Sequence, residues 1–300
     1  MLLYVIKFSA NIILFFVFIY EVYKLLPKYE KRKIIFSFWE PRGKIPGYLN
    51  LCIKTWKKFL PEYDINILDY FSAKQYLGES LFSRIICKEM PLSMQADAIR
   101  VALLQKYGGI WLDTDIILLN GEFIKEFNNY ELTMIGEEKK KFQYIGFIIA
   151  SNNSNILKEW LKQIINNVKN YKRSVKENNS TVLKNDSKIN FDYLGNAIID
   201  PLLKNSRFKN YLRVDSSKLN SFPERQFFLN SSMHNKQKYR LFYFERGSPQ
   251  LILNNKKYVI YLHNSWTPKI YKNMSESEFL TQDIRLAKLF YKLLDLKASI

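Results

Sequence analysis

The stretch SMQADAIRVALLQKYGGIWLDTDIILLN, residues 93–120, decides the fold of this chain. Residues 94–106 are almost all helix formers, and their apolar side chains surround the axis, as in a buried helix. Asp97 and Arg100 interrupt it three residues apart and share one face. Gly108 and Gly109 end it, because glycine takes the left-handed backbone that a helix stop requires. Residues 110–119 read as a buried strand rich in Ile, Leu and Trp. Asp113 and Asp115 fall in its middle, and side-chain alternation points both carboxylates to one face. Ionised carboxylates do not stay on a core strand without partners. Two on one face therefore point to a divalent cation.

Working outward, residues 34–38 form a short apolar strand that delivers Trp39. Pro46 opens a helix over residues 46–59, and Pro61 closes it. Residues 63–68 alternate as a second strand, a helix follows over 72–77, and residues 78–93 read as a loop. Strands alternating with helices predict an α/β fold, a mostly parallel central sheet flanked by helices. Ligands in such sheets bind at the carboxyl ends of the strands. Trp39 and the aspartate pair lie there.

Beyond residue 120, residues 132–136 and 144–150 read as two strands that can pair, and 155–170 as a helix. Residues 172–188 read as a polar surface loop. Short strands are expected over 213–222 and within 239–253. Residues 257–263 alternate as a strong strand and deliver His263, Asn264, Ser265 and Trp266 at its end. The tail, 275–296, reads as one amphipathic helix capped by Ser275 or Ser277.

Composition bounds the rest. The 300 residues are 47% hydrophobic and 16% aromatic, ample for a packed core. The formal net charge of +18 is spread along the chain as Lys among Asn and Ile, and no nucleic-acid motif accompanies it. The reading therefore includes no nucleic-acid partner. Cys52 and Cys87 make neither a disulfide framework nor a metal pair and suit a reducing compartment. Residues 2–26 are largely apolar, and Lys28, Lys31, Arg32 and Lys33 follow. That order predicts an N-terminal apolar helix on an anionic membrane surface, with the body on the cytoplasmic side. Its length suits both a tilted span and an interfacial helix. The expected organisation is a membrane-associated helix and linker over 1–32, a catalytic domain over 33–272, and the C-terminal helix over 273–300.

Three pieces together resemble the family 32 glycosyltransferases, in particular the bacterial capsular polysaccharide synthesis branch. They are the strand ending in Trp39 with the helix after Pro46, the run from Asp97-x-x-Arg100 through Tyr107-Gly108-Gly109 to Asp113-Thr114-Asp115, and His263 with Ser265-Trp266. The resemblance implies a GT-A (Rossmann-like) fold and a retaining, metal-dependent hexosyltransferase. It implies a nucleotide-sugar donor, foremost a UDP-sugar, and a glycan or glycolipid acceptor in capsular or lipopolysaccharide synthesis. Under it, Asp113, Asp115 and His263 would hold Mn²⁺ or Mg²⁺, and Asp97 and Arg100 would contact the donor sugar. Trp39 would lie on the base, with Ser265 and Trp266 closing over the diphosphate. Asp97, Arg100 and Asp115 are the expected catalytic residues. Relatives carry a longer stretch before the Ser-Trp pair than His263-Asn264-Ser265-Trp266. Two other classes stay open at this point: a haloacid-dehalogenase-type phosphatase using the same Asp-x-Asp strand, and a non-enzymatic basic membrane-associated binding protein.

Overall fold

The structure, a computed structural model, describes residues 15, 33–122, 124, 130–137, 142–152, 154–177, 190, 192–215, 227–228, 230–253 and 258–296. The expected N-terminal membrane helix and its basic cluster, apart from Phe15 and Lys33, lie outside these residues. Among the described residues, no helix is long and apolar enough to cross a membrane.

In chain order the elements are β1 (Ile34–Phe38), α1 (Gly47–Phe59), β2 (Asp64–Leu68), α2 (Tyr70–Leu77), α3 (Glu79–Ile85), α4 (Leu92–Tyr107), β3 (Gly109–Leu112) and β4 (Ile116–Leu118). Then come β5 (Leu132–Glu137), β6 (Phe142–Ala150), α5 (Asn155–Glu177), α6 (Asn196–Lys204), β7 (Leu212–Asp215) and α7 (Asn235–Tyr243). The chain continues through α8 (Gln250–Leu253), β8 (Val259–Tyr261), α9 (Lys269–Lys272), α10 (Glu276–Leu280) and α11 (Arg285–Leu293). The central sheet has six strands in the order β2-β1-β3-β6-β5-β7, and β4 pairs with β8 in a separate ribbon. In the central sheet β1 runs parallel to both β2 and β3, and β5 parallel to β7, whereas β6 is antiparallel to its neighbours. The mostly parallel α/β sheet expected from the alternation of elements is therefore present, with β6 as its reversed strand.

Helices cover both faces, so the strands bury both of their sides and read as continuous apolar runs. Phe36, Trp111 and Ile148 pack with Ala98 and Val101 of α4 and Trp160 of α5. Ile35, Ile110 and Ile149 point the other way, to Ile53 and Trp56 of α1. Two hydrogen bonds stitch α1 to β4. The Trp56 indole N–H donates to the Ile116 carbonyl (2.7 Å), and the Leu118 N–H donates to Thr55 Oγ1 (3.0 Å). Gly109 has a positive φ of 96°, and a Cβ there would come within 2.6 Å of the Ile34 carbonyl oxygen, so only glycine fits between β1 and β3.

Several local expectations change. The run 110–119 is two strands in two sheets, because residues 113–115 turn the chain out of the central sheet. Part of 239–253 is helical, since buried Tyr239, Phe242 and Tyr243 recur at the helical spacing of three and four. Residues expected to be loop carry α3, and α5 runs on to Glu177. The tail is two helices, because the Arg285 N–H donates to the Glu245 carbonyl (2.9 Å) and not within a continuous helix. Ser275 does cap α10, in a reciprocal box with Glu278.

Candidate active site

Helix α4 carries Asp97 and Arg100 inward, and Gly108 stops it. Strand β3 then runs back through the core to Leu112. Asp113, Thr114 and Asp115 follow as a turn, closed by the Ile116 N–H donating to the Asp113 carbonyl (3.0 Å). The Asp113 N–H still donates to the Gly146 carbonyl of β6 (2.8 Å), so the turn begins at the sheet's edge. The two carboxylates thus converge because the chain crosses from one sheet to another there. Strand alternation, the expected cause, does not operate at these positions.

One guanidinium organises the acids. Arg100 Nη1 donates to Asp97 Oδ1 and its Nη2 donates to Asp113 Oδ1, each at 2.8 Å. The same Asp113 oxygen accepts the Trp111 indole N–H at 2.7 Å, and the Arg100 guanidinium lies 5.0 Å from the Trp111 ring centroid. A planar fork can serve two carboxylates at once, as an ammonium cannot. Asp115 stands apart from Arg100. Its Oδ2 accepts the Asn264 backbone N–H at 3.1 Å, and its carbonyl accepts the Leu262 N–H at 2.9 Å.

These groups line a cleft of about 680 Å³ with Trp39, Tyr144, Asp192, Asn196 and His263. Burial raises the Asp115 carboxyl to about 7, and the neighbouring Asp113 charge adds to the rise. Burial also raises Asp97 to about 7, against the opposing pull of Arg100, with Asp113 and Asp192 adding to it. Acids pushed upward by burial and by each other lie where a bound cation would stabilise their ionised forms.

Of the residues expected from sequence, the fold brings Trp39, Asp97, Arg100, Asp113, Asp115 and His263 into this one wall. It does not bring Ser265 or Trp266 there. Ser265 is exposed. The Trp266 ring lies against His263, with centroids 3.9 Å apart, and packs toward Tyr239. Among the described residues, no group of three His, Cys, Asp or Glu side chains converges as a metal site. His263 lines the same cleft as the two aspartates. Two hard carboxylates, Asp113 with its Oδ2 outside the Arg100 fork and Asp115 beside it, are the ligand type Mg²⁺ or Mn²⁺ takes when other oxygens come from a ligand and water.

Sequence reasoning missed two glycines that make the room. A Cβ at Gly146 would lie 2.5 Å from Asp113 Oδ2, and one at Gly195 would lie 2.9 Å from Asp97 Oδ2. Gly146 had a signal: a glycine inside an apolar strand marks close approach of another group. Asn264 and Asp192 had none, because their roles come from distant chain meeting the cleft.

A family model described as "Capsular polysaccharide synthesis protein" matches residues 18–293. The chain belongs to the capsular polysaccharide synthesis protein family. A comparison of this family member with curated proteins finds no match. Among solved structures it is similar to "PaToxG Glycosyltransferase" at 17% identity and a TM-score of 0.40, over 89% of this chain and 88% of that one. It is similar to the ligand-free glycosyltransferase domain from the YGT toxin at 9% identity and a TM-score of 0.40, over 87% and 99%. A glycosyltransferase involved in glycosylation of the major capsid of PBCV-1 matches at 11% identity and a TM-score of 0.35, over 68% and 96%. These likenesses are low, and the capsule-synthesis assignment rests on the family match.

Proposed function

We propose that this capsule-synthesis family member is a glycosyltransferase of GT-A type. It moves a sugar from a nucleotide-sugar donor, foremost a UDP-sugar, to a glycan or glycolipid acceptor. The observation that carries this reading is the Arg100 fork between Asp97 and Asp113 beside the raised carboxyl of Asp115, in one cleft. Asp113 and Asp115 would hold Mn²⁺ or Mg²⁺. Once bound, that cation supplies Lewis-acid neutralisation of the departing diphosphate.

The chain's own residues do the remaining work. Arg100 fixes Asp97 and Asp113 relative to each other, so neither must reorganise during transfer. Asp97 accepts hydrogen bonds from sugar hydroxyls at the oxygen facing Gly195. Trp39, whose indole N–H donates to the Lys44 carbonyl (3.2 Å), offers its ring to the base. Retention of configuration is what the family resemblance implies, and with Asp97, Asp113 and Asp115 assigned to the sugar hydroxyls and the cation, front-face attack is the route to it. The N-terminal basic segment would hold the enzyme to the anionic cytoplasmic face of the membrane, beside a lipid-linked acceptor.

The test is a panel of UDP-, GDP- and CMP-sugars incubated with the full chain in Mn²⁺ and in EDTA. Mn²⁺-dependent release of nucleotide from one donor is the expected result. No turnover or binding of any nucleotide sugar, or robust cleavage of p-nitrophenyl phosphate, would overturn the reading.

A further inference from the structure

Asp115 is held by hydrogen bonds that begin in a helix outside the cleft. Its Oδ2 accepts the Asn264 backbone N–H (3.1 Å), and the Asn264 side-chain carbonyl accepts the Tyr48 hydroxyl (2.6 Å). Tyr48 is the second residue of α1 and is fully buried. Burial raises its phenol far above the ordinary range, so it stays a protonated donor. Its ring lies 5.9 Å from that of Phe279 in α10. Just before it, the Gly47 N–H donates to the Met274 carbonyl (3.2 Å), and a Cβ at Gly47 would come within 2.4 Å of the Ser275 backbone. The C-terminal segment is therefore seated on the start of α1, and α1 presents Tyr48 to Asn264.

We propose that Tyr48 is a positioning residue for the donor site: its hydroxyl fixes Asn264, and Asn264 fixes the Asp115 carboxylate. This rests on the reading of Asp113 and Asp115 as cation ligands. Asp115 needs such a hold because Asp113 repels it and the Arg100 fork is taken up by Asp97 and Asp113. Partners one step behind a metal ligand, here Asn264, set its orientation, and their loss weakens metal binding about 10- to 100-fold. Tyr48 acts one step further back, through Asn264, at the low end of that range. The molecule contains a matched control. The Tyr76 hydroxyl donates to Asn66 Oδ1 at 2.7 Å, the same donor and acceptor types, and neither residue lines the cleft.

The experiment titrates Mn²⁺ alone into the full chain and reads free Mn²⁺ by electron paramagnetic resonance. Tyr48→Phe keeps the ring and removes only the hydroxyl. It should weaken Mn²⁺ binding about tenfold. Tyr76→Phe, which loses an equivalent bond, should leave Mn²⁺ affinity unchanged. Asn264→Ala should weaken it as much as Tyr48→Phe does, and the double variant should be no weaker than either single one. Wild-type affinity in Tyr48→Phe, an equal loss in Tyr76→Phe, or additive losses in the double variant would overturn the role of Tyr48. If Tyr48→Phe does not fold, Asn264→Ala decides alone, and unchanged affinity there overturns the proposal. A wild-type chain that binds no Mn²⁺ sinks the cation reading itself. Tight wild-type binding that ignores Tyr48 sinks only this one.

Discussion

The cleft and the body around it carry opposite charge. The chain has a net charge of +18, yet among the described residues the cleft wall sets Glu40, Asp97, Asp113, Asp115 and Asp192 against one cation, Arg100. The basic exterior draws anions toward the molecule. The acidic wall would repel a diphosphate at the last step unless a divalent cation stood between them. Net charge therefore describes the approach to this site, and the local carboxylates describe its chemistry.

The strongest way to break that contrast is to remove a cleft carboxylate. Asp113→Asn or Asp115→Asn should lower transfer about 1,000-fold, the several kcal/mol a Lewis acid supplies, and abolish Mn²⁺ binding. For Asp115→Asn parallel thermal melts should show the fold intact, since the substitution relieves repulsion from Asp113 and leaves the Arg100 fork in place.

Next comes the cation of the wall, Arg100. Arg100 is buried, and Arg100→Ala leaves Asp97 buried without its counter-charge. Loss of one partner of a buried pair costs about 3–5 kcal/mol, which a denaturant midpoint would read. Arg100→Lys should retain more stability while still losing activity, because an ammonium cannot bridge Asp97 and Asp113 as the fork does.

A methyl group tests the geometry without touching charge. Gly146→Ala places a Cβ against Asp113 Oδ2 and should cut kcat/KM about 100-fold, the usual cost of an ångström of misplacement. The KM for the nucleotide sugar should change less than kcat.

The pH response sharpens the same contrast. Asp97 and Asp115 titrate near about 7 in the folded chain, against about 4 when unfolded. Between those values the folded state binds more protons, so stability falls as pH rises through that window. In EDTA the melting temperature should therefore drop from pH 5 toward pH 7, by about a few degrees. Mn²⁺ at pH 8 should restore it, and Asp115→Asn should flatten the slope. The smallest effect belongs to Trp39→Ala, which should raise the nucleotide KM about tenfold or less with kcat unchanged, the sign of lost uniform binding.

Much of this site was legible before the fold was known. Asp97 and Arg100 at a spacing of three on a helix had to face the same way, and they pair at 2.8 Å. Trp39 at the end of β1 follows from parallel strands delivering their C-terminal ends to one edge; Asp113, expected inside one continuous strand, reaches that edge because β3 ends at Leu112. The family resemblance implies that Ser265 and Trp266 close over the diphosphate. The short helical turn Asn264–Trp266 carries them out of the cleft wall.

The sequence by itself determined the local pieces: the apolar runs that became β1, β3 and β8, the glycines that stop α4, and the capping box of Ser275. Each depends on neighbours within a few residues, so periodicity and propensity suffice. Only the tertiary structure decided where the apolar run after Gly109 breaks. Ile110 to Leu112 and Ile116 to Leu118 look alike as sequence, but the first pairs with β1 and β6 and the second with β8. The partner that secures Asp115 stands 149 residues away, at Asn264, and no local pattern encodes that meeting. The turn that makes two aspartates into a site is thus set by non-local pairing, and the residues that fill it are set by the chain alone.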